Sequence, residues 1–131
     1  MASSRFVMVI EDEHDVREMI STLLENAGIP SRCAKDGKEA LRSLREAEAL
    51  PRLILLDLMM PTMSGDEFLA VLRADPYLSA IPVVAISAAR GPKLDYLRRL
   101  GVEEILLKPI DPDLLLTATR KFVEREKSES S

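Results

Sequence analysis

Short apolar runs alternate with helical patterns along the chain. Phe6 to Ile10 is a near-continuous apolar run of strand length. Val16, Met19, Ile20, Leu23, Leu24 and Ala27 then recur at helical spacing, one apolar stripe on an otherwise charged segment. Gly28 stops this helix and Pro30 reinforces the break. Ser31 to Ala34 predicts a weaker strand, and Asp36-Gly37 opens a second helix carrying Ala40, Leu41 and Leu44. Leu53 to Leu56 predicts a third strand that ends at Asp57. After the turn Pro61-Thr62-Met63-Ser64-Gly65, the residues Phe68, Leu69 and Leu72 mark a third helix. Ile81 to Ile86 predicts a fourth strand, with Pro82 at its second position, where a strand start tolerates proline. Leu94, Leu97 and Leu100 mark a short fourth helix closed by Gly101; Ile105 to Leu107 is the last strand, and Leu115, Ala118 and Phe122 carry the last helix.

Continuous apolar strands predict a parallel sheet covered by helices on both faces. Short, right-handed connections then leave a doubly wound α/β layer as the expected architecture. A length of 131 residues suits one such domain. We expect it to occupy 1–126, with 127–131 as a frayed tail or the start of a linker. The chain then reads either as a stand-alone domain or as a piece of a longer protein.

Composition narrows the function. With 47% hydrophobic and 31% charged residues, the chain is globular rather than disordered. A formal charge of -4 argues against direct nucleic-acid binding, which needs a basic face. The lack of a membrane-length apolar stretch or an apolar leader predicts a cytoplasmic domain without membrane contact. Cys33 is the only cysteine, so an internal disulfide is excluded, and it reads as a buried small hydrophobe rather than a reactive thiol.

The positions of the polar residues carry the chemistry. Glu11, Asp12 and Glu13 follow the first strand, Asp57 the third, Ser87 the fourth and Lys108 the fifth. In an open parallel sheet these positions share one edge, beyond the carboxyl ends of the strands, where ligands bind. Carboxylates brought together there repel one another unless a cation intervenes. An all-oxygen set suits a hard ion such as Mg²⁺. With that charge in place, Asp57 could receive a phosphoryl group, with Lys108 and the Ser87 hydroxyl on its oxygens. Taken singly, each residue has a plainer role: a charge cluster at a helix start, a strand terminator, a turn cap, a surface lysine. Their conjunction at four strand ends favours the chemical reading. His14, the only histidine, reads as a solvated residue at the opening of the first helix.

These segments resemble the receiver domains of two-component response regulators, of the chemotaxis-regulator kind. The resemblance rests on Val7-Met8-Val9-Ile10-Glu11-Asp12-Glu13, on Leu55 through Gly65, on Ile81 through Ala88, and on Leu106-Leu107-Lys108-Pro109. It implies a flavodoxin-like (βα)5 fold with sheet order 2-1-3-4-5. It also implies Asp57 as phosphoacceptor, and a metal site of Glu11, Asp12, Asp57 and the Met59 backbone carbonyl, holding Mg²⁺ with Mn²⁺ able to substitute. Ser87 becomes the switch hydroxyl, Lys108 its partner, and Ala88 the small residue giving the phosphoryl group access. The implied donor is a sensor histidine kinase or a histidine phosphotransfer protein, which the family usually meets on the first helix. The output partner or fused effector domain and any dimer through the fourth and fifth helices stay open.

Two positions depart from the family pattern. Ile105 stands where an aromatic residue often swings inward, so a different packing change is expected to carry the signal. Glu11 replaces a more frequent aspartate, so the metal is expected to sit slightly differently or to use a bridging water. Met59 and Ala89 cannot orient a water well, which predicts slow self-dephosphorylation. An aspartyl-nucleophile phosphatase would want a second acid where Met59 stands, and a nucleotide or flavin site would want a Gly-rich turn in place of Glu11-Asp12-Glu13. A degenerate receiver that only binds proteins ranks behind the active form, because Asp12, Asp57, Ser87 and Lys108 are all present.

Overall fold

The computed structural model describes residues 6–59, 63–88 and 92–124. Strands β1 (Val7–Ile10), β2 (Ser31–Ala34), β3 (Leu53–Asp57), β4 (Val83–Ser87) and β5 (Glu104–Leu107) alternate with helices α1 (His14–Asn26), α2 (Gly37–Glu46), α3 (Gly65–Ala74), α4 (Pro92–Arg99) and α5 (Pro112–Val123). All strand pairs are parallel, and the sheet order is β2-β1-β3-β4-β5. This is the doubly wound arrangement the apolar runs predict.

Alternation within those runs builds two core layers. Met8, Ile10, Ile54, Leu56, Val83 and Ala85 point to one face and pack with Leu41 and Leu44 of α2, Phe68 and Leu72 of α3, and Leu97 of α4. Val7, Val9, Leu53, Leu55, Val84 and Ile86 point to the other, against Ile20 and Leu24 of α1 and Leu115 and Phe122 of α5. β1, and β3 and β4 up to their last residues, are apolar at every position because both of their faces are covered. At roughly 25 cal/mol per Å² of apolar surface removed from water, these two layers are the main stabilising contribution.

Local sequence fixes the helix ends. Asp36 caps α2 by accepting from Glu39 N–H at 2.8 Å. Ser64 and Glu67 form a reciprocal capping box on α3. At the end of α1, Gly28 takes φ +78, so its N–H reaches Glu25 O at 3.0 Å and Ile29 N–H reaches Leu24 O at 2.9 Å. Ile29 and Leu24 are both buried, which seats the chain for β2.

Two expectations change. β4 starts at Val83 and runs through Ser87, so Pro82 precedes the strand. There its missing N–H costs no ladder bond, while its carbonyl accepts from Ile54 N–H at 3.0 Å. Cys33 is exposed, not buried. It lies on β2, an edge strand with only Ala34 fully buried, so the helices do not enclose both of its faces. The partial desolvation that remains raises the thiol pKa above its ordinary value, contrary to a reactive thiolate. The expected tail at 127–131 lies outside the described residues, as do Met60, Pro61, Thr62 and Ala89.

Gly65 shows why the β3–α3 turn needs a residue without a side chain. A Cβ there would lie 2.5 Å from Leu58 Cδ2 and 2.8 Å from the Leu58 Cα. Backbone cannot move aside as a flexible tip can, so Gly65→Ala is expected to destabilise the fold by about 1–3 kcal/mol. Urea unfolding measures this, and an unchanged midpoint would contradict the close approach.

Candidate functional site

The site forms where β1, β3, β4 and β5 end along one edge of the sheet. Glu11 and Asp12 follow β1 directly, Asp57 closes β3, Ser87 closes β4, and Lys108 follows β5. In-register pairing aligns these ends. Ile10 lies opposite Leu56, Asp57 opposite Ile86, and Ser87 opposite Leu107. The loops are tied to the sheet as well. Leu58 N–H donates to Ile86 O at 3.1 Å, and Lys108 N–H donates to Ser87 O at 2.9 Å.

Glu11, Asp12 and Asp57 each place a carboxylate oxygen within 4.8 Å of the other two. Glu11 and Asp57 are both 1% exposed, so two carboxyl groups sit together out of water. Lys108 Nζ lies 3.3 Å from Asp57 Oδ1. The same Asp57 oxygen accepts from Met59 N–H at 3.1 Å, which orients the carboxylate. Glu11 Oε2 accepts from Glu13 N–H at 3.1 Å, while Glu11 Oε1 is buried without a hydrogen-bond partner. Burial, and then the neighbouring Asp57 charge, push the Glu11 carboxyl up to about 8. A buried carboxylate with one orphaned oxygen, beside two further carboxylates, is the setting a hard divalent cation fits.

Of the other residues singled out from sequence, Ser87 is buried and Ala88 is exposed at the end of β4. Met59 is 69% exposed. Ile105 is half-buried and packs with the core layer that includes Leu97 of α4. His14 is exposed at the start of α1. One residue was not anticipated. Arg17 of α1 reaches back over the β1–α1 loop and donates to Glu11 O at 2.8 Å and to Asp12 O at 3.4 Å. The available signal was an arginine one turn into a helix that follows an acidic cluster.

A family model described as "Response regulator receiver domain" matches residues 7–120. The chain belongs to this family. The receiver is 33% identical over 125 residues to the DNA-binding response regulator MtrA of Mycolicibacterium smegmatis, covering 94% of this chain and 52% of that protein. It is 36% identical over 124 residues to the phosphate regulon transcriptional regulatory protein PhoB of Escherichia coli K12, covering 93% and 53%. The chain thus spans about half the length of the curated relatives it matches. Among solved structures, a response regulator receiver protein from Pseudomonas putida superposes with a TM-score of 0.84 at 27% identity, covering 92% of this chain and 99% of that one. The Vibrio cholerae chemotaxis protein CheY4 gives a TM-score of 0.81 at 28% identity, covering 92% and 99%. The flavodoxin-like order 2-1-3-4-5 is therefore that of a receiver of a two-component response regulator. No helix among the described residues is long and apolar enough to cross a membrane.

Proposed function

We propose that this receiver takes a phosphoryl group onto Asp57 from the phosphohistidine of a sensor histidine kinase or histidine phosphotransfer protein. The observation that carries the proposal is the pairing of Asp57 with Lys108 at 3.3 Å beside two further acidic groups, at the sheet edge where ligands bind. An Asp57 carboxylate oxygen attacks phosphorus as the P–N bond to histidine breaks, and the leaving imidazole keeps the bond's electron pair. The product is an aspartyl phosphate.

Glu11, Asp12, Asp57 and the Met59 carbonyl would hold Mg²⁺, or Mn²⁺ in its place, which neutralises phosphoryl oxygens and lets neighbouring carboxyl groups stay ionised. Lys108 stands close enough to exchange its contact with Asp57 for one with a phosphoryl oxygen. Ser87, at the end of β4, supplies the hydroxyl that would follow the new group, and Ala88 leaves its approach open. The protein is then a signalling acceptor that catalyses only its own phosphorylation and dephosphorylation. Phosphohistidine is made from ATP, so we place the reaction in the cytoplasm.

Ile105 changes how the signal would leave the site. An aliphatic side chain in the α4-side layer cannot present a hydroxyl or a ring edge, so the readout would be a shift of α4 and β5. Tyr96 and Leu107 are each 40% exposed on α4 and β5 and offer a surface for an output partner or a second receiver.

The test is incubation with acetyl phosphate, followed by intact mass measurement. One phosphoryl group should add in Mg²⁺ and none in EDTA; equal incorporation in both would refute the divalent requirement. After removal of the donor, the added mass should persist for minutes or longer, because the Met59 thioether cannot activate water. Decay within seconds would refute that part.

A further inference from the structure

Arg17 sits where two electrostatic arguments oppose a cation. It lies one turn from the N-terminus of α1, the positive end of the helix dipole. It also lies beside a loop whose carboxylates would bind a divalent ion, so its charge works against that ion. Its contacts supply a compensating role. Side chains on a helix tilt toward its N-terminus, and this tilt carries the guanidinium back over the loop. One nitrogen donates to Glu11 O at 2.8 Å and to Asp12 O at 3.4 Å, and the other faces His14 Nδ1 at 3.3 Å. None of these contacts is to a site carboxylate. The guanidinium therefore holds peptide carbonyls and leaves the carboxylate oxygens free.

The loop is otherwise lightly held. Glu11 N–H donates to Ala34 O at 3.1 Å, which anchors its start to the sheet. Glu13 occupies the N-cap position of α1 without a side-chain cap bond. Between these points Glu13 N–H donates to Glu11 Oε2 at 3.1 Å, and Arg17 holds the Glu11 and Asp12 carbonyls. The same two residues carry the carboxylates that meet Asp57.

We propose that Arg17 is a positioning residue for divalent-cation binding, a clamp that presets the Glu11–Asp12 loop. The inference rests on the cation reading above and is tested separately from it. Outer partners that orient metal ligands are commonly worth about 10- to 100-fold in metal affinity. Calorimetric titration with MgCl₂ of the wild type, Arg17→Met and Arg17→Lys, at one pH and ionic strength, gives the readout. Arg17→Met is expected to bind Mg²⁺ about 10-fold more weakly, although loss of a positive charge alone would strengthen binding. Arg17→Lys keeps the charge but lacks the fork spanning Glu11, Asp12 and His14, and should also bind more weakly than wild type. Unfolding midpoints in EDTA separate loss of the fold from loss of the site, and the lysine variant decides the matter if the methionine variant does not fold. Wild-type binding accompanied by equal or tighter binding in the folded variants would overturn the clamp and leave the cation site standing. A wild type that binds no Mg²⁺ would overturn both.

Discussion

Asp57→Asn is expected to take up no phosphoryl group from acetyl phosphate in Mg²⁺, while remaining folded. An amide nitrogen or oxygen is a poor nucleophile toward phosphorus, and the substitution changes almost no volume in a residue that is 1% exposed. It also removes one of the three carboxylates that lie within 4.8 Å of one another, so Mg²⁺ affinity should fall. Asparagine can still accept from Met59 N–H, which keeps the turn after β3 in place. Lys108 loses its ionic partner at 3.3 Å but is 27% exposed in its side chain and can hydrate. Intact mass and circular dichroism on the same sample check both halves. Incorporation at the wild-type level would mean that another residue is the acceptor.

The second large effect is on stability. Without divalent cations, the protein should lose stability as pH rises from about 4.5 to about 8, the ordinary and the folded values for Glu11. Between these values the folded state holds a proton on Glu11 that the unfolded chain has released. Unfolding then releases a proton, and higher pH favours it. The contribution is fully present below the ordinary value and is lost as pH passes the folded one. Its size is on the order of a few kcal/mol, because burial, the first cause of the shift, acts on a carboxyl 1% exposed. Glu11→Gln removes the titrating group and should flatten this slope in EDTA. The same variant should bind Mg²⁺ poorly, since a neutral amide replaces a charged ligand. Thermal unfolding in EDTA at several pH values measures the slope. A wild type and a Glu11→Gln with parallel curves would show that Glu11 is not the strained group.

Most of the fold was legible in the sequence because the three central strands, β1, β3 and β4, are covered on both faces. That produces unbroken apolar runs, and each run ends in a polar residue where it leaves the helices. The same rule placed Asp57 beside Glu11, Asp12 and Lys108, since parallel strands of similar length bring their carboxyl ends to one edge. Cys33 was misplaced because apolar character says nothing of a strand's position, and β2 proved to be an edge strand. Pro82 was assigned to β4 because its flanking residues are apolar, whereas backbone pairing begins one residue later. Arg17 was not found because its contacts are with carbonyl oxygens, which every residue has and no pattern marks. The burial of Glu11, 1% exposed, was equally hidden, because no pattern in the sequence marks a carboxylate after a strand as enclosed.

Locating the phosphoryl group on the wild-type chain tests Asp57 as the acceptor. After incubation with acetyl phosphate and Mg²⁺, borohydride reduction converts an aspartyl phosphate to homoserine, which peptide mass spectrometry assigns to one residue. The change is expected at Asp57 alone. Modification at Asp12, Glu11, Ser87 or His14 in its place would contradict it.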